Sequence, residues 1–407
     1  MTDPAPAHGR ARLTLMLTAL VSVFILSHAF RTVMAIAADP LARDLGASPQ
    51  ALGLVAGAFH VAFALAQPAV GVALDRYGPR RTVLAAFTLA VIGSAVCALA
   101  TRLDVLMVGQ GLIGAGCAPA LLAAMVFVSA RYPANRFAAL SGVVLAVGGV
   151  GMLITGTPLA WLMETGSWRT GFWALGIMAA GAWLAVFRWV DTGPTALRDG
   201  AGLWVMVRGL GTVLAQPHTA GICCLAAVSY AAFLALRGLW IGPLLIERHG
   251  FSVIEVGHAA FAISLAVIIG PYLFGRLDPG PQKRRTVILL CSAAYVVQFG
   301  LLALGGGAVS DVTLAILIGL SGGYIVLQYA DVRSAYPAHM AGRALSVFTM
   351  ALFLGVAIMQ WLSGVAATVG HAAGDPSRAA LLSVAVMLAA GTLAFWRLPW
   401  PPHPPGR

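Results

Sequence analysis

Apolar runs long enough to cross a bilayer recur twelve times along this chain, and no other feature limits its fold as tightly. A hydrocarbon core is spanned by about 17–25 helical residues, so each run reads as a transmembrane helix. The chain is 60% hydrophobic and only 10% charged. Soluble domains carry about 25% charged residues, so the solvent of this chain is mostly lipid. The first run, from Leu13 to about Ala37, follows Arg10 and Arg12 and has a signal-peptide look, with Ala35-Ile36-Ala37 as a cleavage site. It is longer than the ~7–15 apolar residues of such a leader and reads as an uncleaved first helix.

The formal net charge of +11 invites a nucleic-acid reading, but position argues against it. The basic residues fall in short loops between the apolar runs rather than in one patch, so no nucleic-acid partner is expected. Placing the N-terminus inside puts most of the 25 Lys and Arg on the cytoplasmic side, and Arg43, Arg102, Arg169, Arg248 and Arg378 outside. That orientation predicts a multi-pass protein of a bacterial inner membrane with both termini cytoplasmic. The five cysteines (Cys97, Cys117, Cys223, Cys224, Cys291) lie within the apolar runs at no metal-ligand spacing. They read as small buried hydrophobes, with neither a disulfide framework nor a metal site implied.

The chain also repeats itself at half its length. Asp75 and Asp278 are 203 residues apart, Tyr132-Pro133-Ala134 and Tyr336-Pro337-Ala338 are 204 apart, and Leu140-Ser141 and Leu345-Ser346 are 205 apart. Arg31 and Arg237, both inside apolar runs, are 206 apart. Two parallel six-helix halves explain all four intervals. The expected organisation is a bundle over 1–190, a cytoplasmic linker over 191–217 and a second bundle over 218–407. Within the linker, Trp204 to Leu214 fits a short surface helix and a plain connection equally well.

The stretch from Gly71 to Arg81, with Asp75, Arg76, Gly78, Arg80 and Arg81, resembles the signature loop between helices 2 and 3 of the major facilitator superfamily. A degenerate second copy runs from Gly275 to Arg285 and contains Asp278. The resemblance covers nearly the whole chain. It implies two pseudo-symmetric six-helix bundles and secondary transport by alternating access. It also implies that Gly71, Asp75, Arg76, Gly78, Arg80, Arg81 and Asp278 form a charged latch on the cytoplasmic side. Gln110 stands where many family exporters carry a basic residue linked to proton coupling, which weakens a proton/drug antiport reading.

Arg31 and Arg237 are the candidate centre of function, because a guanidinium in hydrocarbon costs roughly 2.5–3.5 kcal/mol on insertion scales. In the resembled fold, helices 1, 4, 7 and 10 line the cavity. On them, His28 shares a face with Arg31, Tyr230 shares one with Arg237, and Tyr324, Gln328 and Asp331 recur at i, i+4 and i+7. Gln110 completes the expected ring. Guanidinium forks match carboxylate and phosphate oxygens, so the expected partner is a small organic anion. The 14 acidic residues fall in loops or at helix ends, with Asp331 the deepest, so no mid-span carboxylate neutralises the arginines. In position alone, the pair is similar to the arginines of the organophosphate/phosphate antiporter branch. Snorkelling of both arginines to an interface is the alternative. His60, His258 and Asp331 are candidates for proton coupling, and packing is the alternative role for each histidine.

The leading expectation is a symporter or antiporter of a small organic anion, a carboxylate or phosphate ester, acting as a monomer without a cofactor. The alternative is a proton-coupled drug or metabolite exporter, although a cationic-drug exporter would be expected to carry a mid-span carboxylate. An enzyme is not expected, since no HExxH, GxSxG or His/Asp grouping is read at the membrane surface. A channel would show a filter loop, and direct ATP coupling would need a P-loop, which is absent from the sequence.

Overall fold

The computed structural model describes residues 7–132, 134–191, 211–337, 340–371 and 374–400. Among them, twelve helices are long and apolar enough to cross a membrane. These are α1 (Ala11–Thr32), α2 (Pro49–Leu74), α3 (Arg76–Leu99), α4 (Leu103–Arg131), α5 (Gly142–Thr165), α6 (Trp168–Trp189), α7 (Thr219–His249), α8 (Val253–Arg276), α9 (Pro281–Leu304), α10 (Ala308–Ala335), α11 (Arg343–His371) and α12 (Pro376–Arg397). No strand occurs among the described residues. Most of the expected linker (192–210), Pro133, Ala338 and the side chain of Asp75 lie outside them.

Local chemistry sets the ends of these helices. Ser48 caps α2 by accepting from the Ala51 N–H at 3.2 Å, with Pro49 in the first turn, where its missing N–H costs nothing. Ser252 and Glu255 close a reciprocal capping box on α8. Gly78 breaks the α2–α3 turn at φ 76°, a left-handed backbone that a Cβ would strain.

Backbone defects follow the half-length repeat. In the first helix of each half, α1 has a turn at Val33 and continues as Met34–Leu45, while α7 carries a π-turn over Leu236–Trp240. In the fourth, α4 breaks at Ala118-Pro119 and α10 tightens to a 3₁₀ turn over Gly322–Tyr324. Such interruptions are tolerated in membrane helices where protein neighbours satisfy the freed groups.

Each bundle packs on its own helices, and the two meet along α2–α11, α5–α8 and the continuation of α1 with α7. Small residues permit this approach. A Cβ at Gly53 would collide with the Gln360 carbonyl, one at Gly364 with the Pro49 carbonyl, and one at Gly257 with Thr157 and Ala160. All these contacts lie toward the loops that leave the odd-numbered helices, here termed the far face. Toward the opposite, arginine-rich face, Ala120–Arg131 of α4 and Ile325–Ala335 of α10 pack within their own bundles. The seam is therefore sealed at the far face and parts toward the basic one.

At the far face, Asp44 accepts from Arg169 Nη1 at 2.6 Å and from Trp168 Nε1 at 3.0 Å, tying the end of the first helix to α6. These donors hold its carboxyl below the ordinary carboxylate value. In the second bundle, Asp311 accepts from Arg248 at 3.0 Å and lies 2.9 Å from His249 Nε2, fastening the end of α7 to the start of α10.

Candidate solute site

Arg31 stands at the upper end of α1 where the two bundles meet. Its side chain is buried, with 7% of the residue exposed, so it does not reach lipid or a surface. Two aromatic faces hold it: Phe63 of α2 lies 4.6 Å from the guanidinium carbon and Phe353 of α11 lies 4.9 Å away. These rings themselves meet across the seam at 4.4 Å between centroids. Nη2 donates to Ser27 Oγ at 3.2 Å, and Nε, buried, has no acceptor. Among the described residues no carboxylate pairs with Arg31. On the basic side of this collar, Tyr230 faces Phe353 at 5.8 Å, and Tyr329, 38% exposed, lies within electrostatic range of Tyr230 and Arg31. A cation below which two tyrosines face the parted seam can meet an anion there.

Arg237 is placed differently from the open second cation that the sequence suggests. It is completely buried, and its acceptors come from two helices, one in each bundle. Nε donates to Ala260 O at 3.1 Å and Ser264 Oγ at 3.0 Å on α8. Nη2 crosses the seam to Met152 O of α5 at 2.8 Å and, at 3.4 Å, to the carbonyl and hydroxyl oxygens of Thr155. Sequence accounts for both sides of this contact. Gly156 N–H bonds Leu153 O rather than Met152 O, and Pro158 has no N–H, so α5 breaks and its carbonyls turn outward. The π-turn in α7 rotates Arg237 toward them. Thr155 is also within 2.6 Å of Thr32, joining α1 to the same network. Nη1 alone of the guanidinium nitrogens has no partner. Snorkelling is realised by neither arginine.

The other expected site residues spread out. His28 is half-buried between α1 and α5, with Nδ1 3.2 Å from Phe24 O. Gln110 is buried in the first bundle with Nε2 unpartnered. Tyr324 and Gln328 turn into the second bundle rather than toward Arg31. Tyr324 accepts from Ser292 Oγ at 3.2 Å, and Gln328 Oε1 accepts from Ser229 Oγ at 3.0 Å. Asp331 is already paired with Arg285 at 2.9 Å, beneath the rings of Phe395 and Trp400, beside a small cavity that Gln328 also lines. His258 is exposed on α8, away from the seam.

His60 is nearly fully buried on α2, where its Nδ1–H donates to Ala56 O at 3.1 Å. Its ring stacks over Phe353 at 6.3 Å. Gln360 of α11, which sequence reasoning passed over, is fully buried beside it. A lone amide in the apolar stretch Ala357 to Trp361 was the available signal.

The signature-loop residues keep their contacts within their own bundles. Arg80 donates to Phe187 O at 2.7 Å, while Gly71 lies at the end of α2 and Arg76 and Arg81 are exposed. Asp278 pairs with Arg284 at 2.7 Å, which holds its carboxyl below the ordinary value. The string Gly319-Leu320-Ser321-Gly322-Gly323 has the spelling of a nucleophile elbow, but it lies in α10 rather than on a strand-to-helix turn. Ser321 Oγ accepts from Gln298 at 3.0 Å.

Solved structures with the same architecture include the nucleoside transporter NupG, at a TM-score of 0.78 and 14% identity, covering 95% of this chain and 98% of that one. The D-xylose-proton symporter aligns at a TM-score of 0.75 and 14% identity over 94% of this chain and 97% of its own. At such identities the likeness concerns the fold alone. Among curated proteins, a hexuronate transporter of Bacillus subtilis is 24% identical over 313 residues, 72% of this chain and 74% of its own. An MFS-type efflux pump of Mycolicibacterium smegmatis is 26% identical, covering 97% of this chain and 94% of that protein. The family model described as Major Facilitator Superfamily matches residues 19–360.

Proposed function

Because this chain belongs to the major facilitator superfamily, and is a multi-pass membrane transporter, we propose that its solute is a small organic anion. The observation that carries the reading is Arg31: a buried, permanent cation without a carboxylate partner, set where the bundles meet above the parted seam. A carboxylate or phosphate ester entering beneath the aromatic collar supplies the missing counter-charge, and guanidinium geometry favours a two-pronged contact. Tyr230 and Tyr329 line the approach. The relation to a hexuronate transporter supports the reading, since a hexuronate is itself a carboxylate.

In this reading the bundles rock about the site, and each face opens in turn. The basic face is cytoplasmic, in a bacterial inner membrane, with both termini on that side. One chain supplies both halves, over 1–190 and 218–407, so a monomer suffices. The loop from Gly71 to Arg81 and Asp278 engage as a latch when the cytoplasmic side closes. In the opposite state Arg80 and Asp278 rest on partners in their own bundles.

A second reading, proton-coupled efflux, draws on the efflux pump that aligns with nearly the whole chain and on the aromatic collar, which would suit an apolar drug. The fixed charge of Arg31 disfavours cationic drugs in that role. Uptake into proteoliposomes separates the two. Carboxylates and phosphate esters are expected to be carried, lipophilic cations are not, and Arg31→Ala is expected to abolish the transport. Equal transport by wild type and Arg31→Ala refutes the anion site.

A further inference from the structure

The guanidinium of Arg31 sits in an aromatic corner. Its carbon is 4.6 Å from the Phe63 ring and 4.9 Å from Phe353, and those two rings are 4.4 Å apart. The three centres form a nearly equilateral triangle, so both rings lie on one side of the cation. From Phe353 the aromatic wall continues toward the basic face through Tyr230, 5.8 Å away. Tyr329, within electrostatic range of Tyr230 and Arg31, extends it and meets Phe348 at 4.8 Å. Tyr230 is half-buried and Tyr329 is 38% exposed, so both rings have surface to offer an occupant.

The polar side chains around this wall are already engaged with one another. His60 and Gln360 share a hydrogen bond. The Cys117 thiol of α4 is hydrogen-bonded with Ser27, which also takes Nη2 of Arg31. Tyr329 is hydrogen-bonded with Thr349 of α11, and Gln328 Oε1 accepts from Ser229. Arg237 gives its Nε and Nη2 to acceptors on α8 and α5. Arg31, by contrast, has no carboxylate among the described residues, and its Nε has no acceptor. We propose that the solute is an aromatic monocarboxylate, held by its charge on Arg31 and by its ring against Phe353, Tyr230 and Tyr329. The inference rests on the anion reading above and narrows it.

Three features of the wall select this chemistry. One guanidinium faces the approach, so one negative charge is matched. Aromatic walls gain from a ring in offset or edge-to-face contact beyond the area it buries. A ligand hydroxyl laid along the same wall leaves water for side chains that already have partners, and a polar group buried without a hydrogen bond costs free energy. A flat acid therefore gains where a polyhydroxylated one loses.

The test compares benzoate with D-glucuronate, both monocarboxylates, binding to the purified full-length chain by calorimetry, with uncharged benzamide as a third ligand. Wild type is expected to bind benzoate at least about tenfold tighter than D-glucuronate, since one stranded hydroxyl costs roughly that factor. Tyr230→Leu and Tyr329→Leu are each expected to weaken benzoate about two- to tenfold and leave D-glucuronate unchanged. Either variant suffices should the other not fold. Tyr230→Phe, which keeps the ring, is expected to retain benzoate. Equal or tighter binding of D-glucuronate by wild type overturns the aromatic assignment while the anion reading stands, as does unaltered benzoate affinity in the folded Leu variants. Benzamide binding as tightly as benzoate overturns the anion reading instead. If wild type binds neither acid, both fall.

Discussion

Arg31→Met separates what this arginine does for the fold from what it does for a ligand. Methionine keeps the length of the side chain and its contact with Phe63 and Phe353 while removing the charge. Among the described residues the guanidinium has one hydrogen bond, to Ser27 at 3.2 Å, and two ring faces at 4.6 and 4.9 Å. A hydrogen bond to a charged group contributes ~1.5–3 kcal/mol and a desolvated cation–π contact about 1–2 each, roughly 3–7 in all. Burial of the ion costs several kcal/mol in the other direction. The two nearly cancel, so unliganded stability is expected to change by no more than about 1 kcal/mol. A bound carboxylate changes the balance. Two charge-assisted bonds contribute roughly 3–6 kcal/mol, or about 10²–10⁴ in affinity at 1.4 kcal/mol per tenfold. Arg31→Lys keeps the charge without the fork and is expected to lie between. Calorimetric titration of wild type and both variants with benzoate, beside thermal unfolding without ligand, reads both quantities. A variant that binds normally, or one that fails to fold, refutes the reasoning.

Arg237→Ala is expected to do the reverse. It leaves acceptors from α5 and α8 without their charged donor and opens a hole in the seam, at a cost of about 3–5 kcal/mol, read as a large drop in Tm. Gly53→Val drives a side chain into the Gln360 carbonyl, so the far face should no longer close. Spin-label distances across that face are expected to lengthen and transport to stop, and unaltered distances would count against the sealed seam. Arg285→Met alone strands Asp331 as a buried charge and should cost about 3–5 kcal/mol. Adding Asp331→Leu is expected to restore most of it, and a double variant no better than the single would refute the pairing.

Much of the fold was legible because helix length and hydropathy are local properties. The half-length repeat reached further, since its intervals also fall on the backbone breaks of α1 and α7 and of α4 and α10. The candidate site was less legible. Sequence periodicity puts Tyr324, Gln328 and Asp331 on one helical face but does not say which neighbour that face meets. The 3₁₀ turn at Gly322–Tyr324 and the partners Ser292, Ser229 and Arg285 turn it into the second bundle. The burial of Arg31 and Arg237 followed from their setting. Their surroundings did not, because aromatic rings on α2 and α11 and carbonyls on α5 and α8 are set by contacts between distant segments. Gln360 went unread because a single amide in an apolar helix looks the same whether it packs or binds.

The break in α5 has a consequence for how this protein can change. The shortest contact to Arg237 from α5 is with main chain, at Met152 O, and every residue type carries the same carbonyl. Substituting Met152 alters a side chain but leaves its oxygen where it was. Mutation can therefore wander along this part of α5 without disarming the contact. The vulnerable positions are Gly156 and Pro158, where a residue that let the helix run on would turn those oxygens back into the helix's own hydrogen bonds and leave Nη2 of the arginine without its acceptors across the seam.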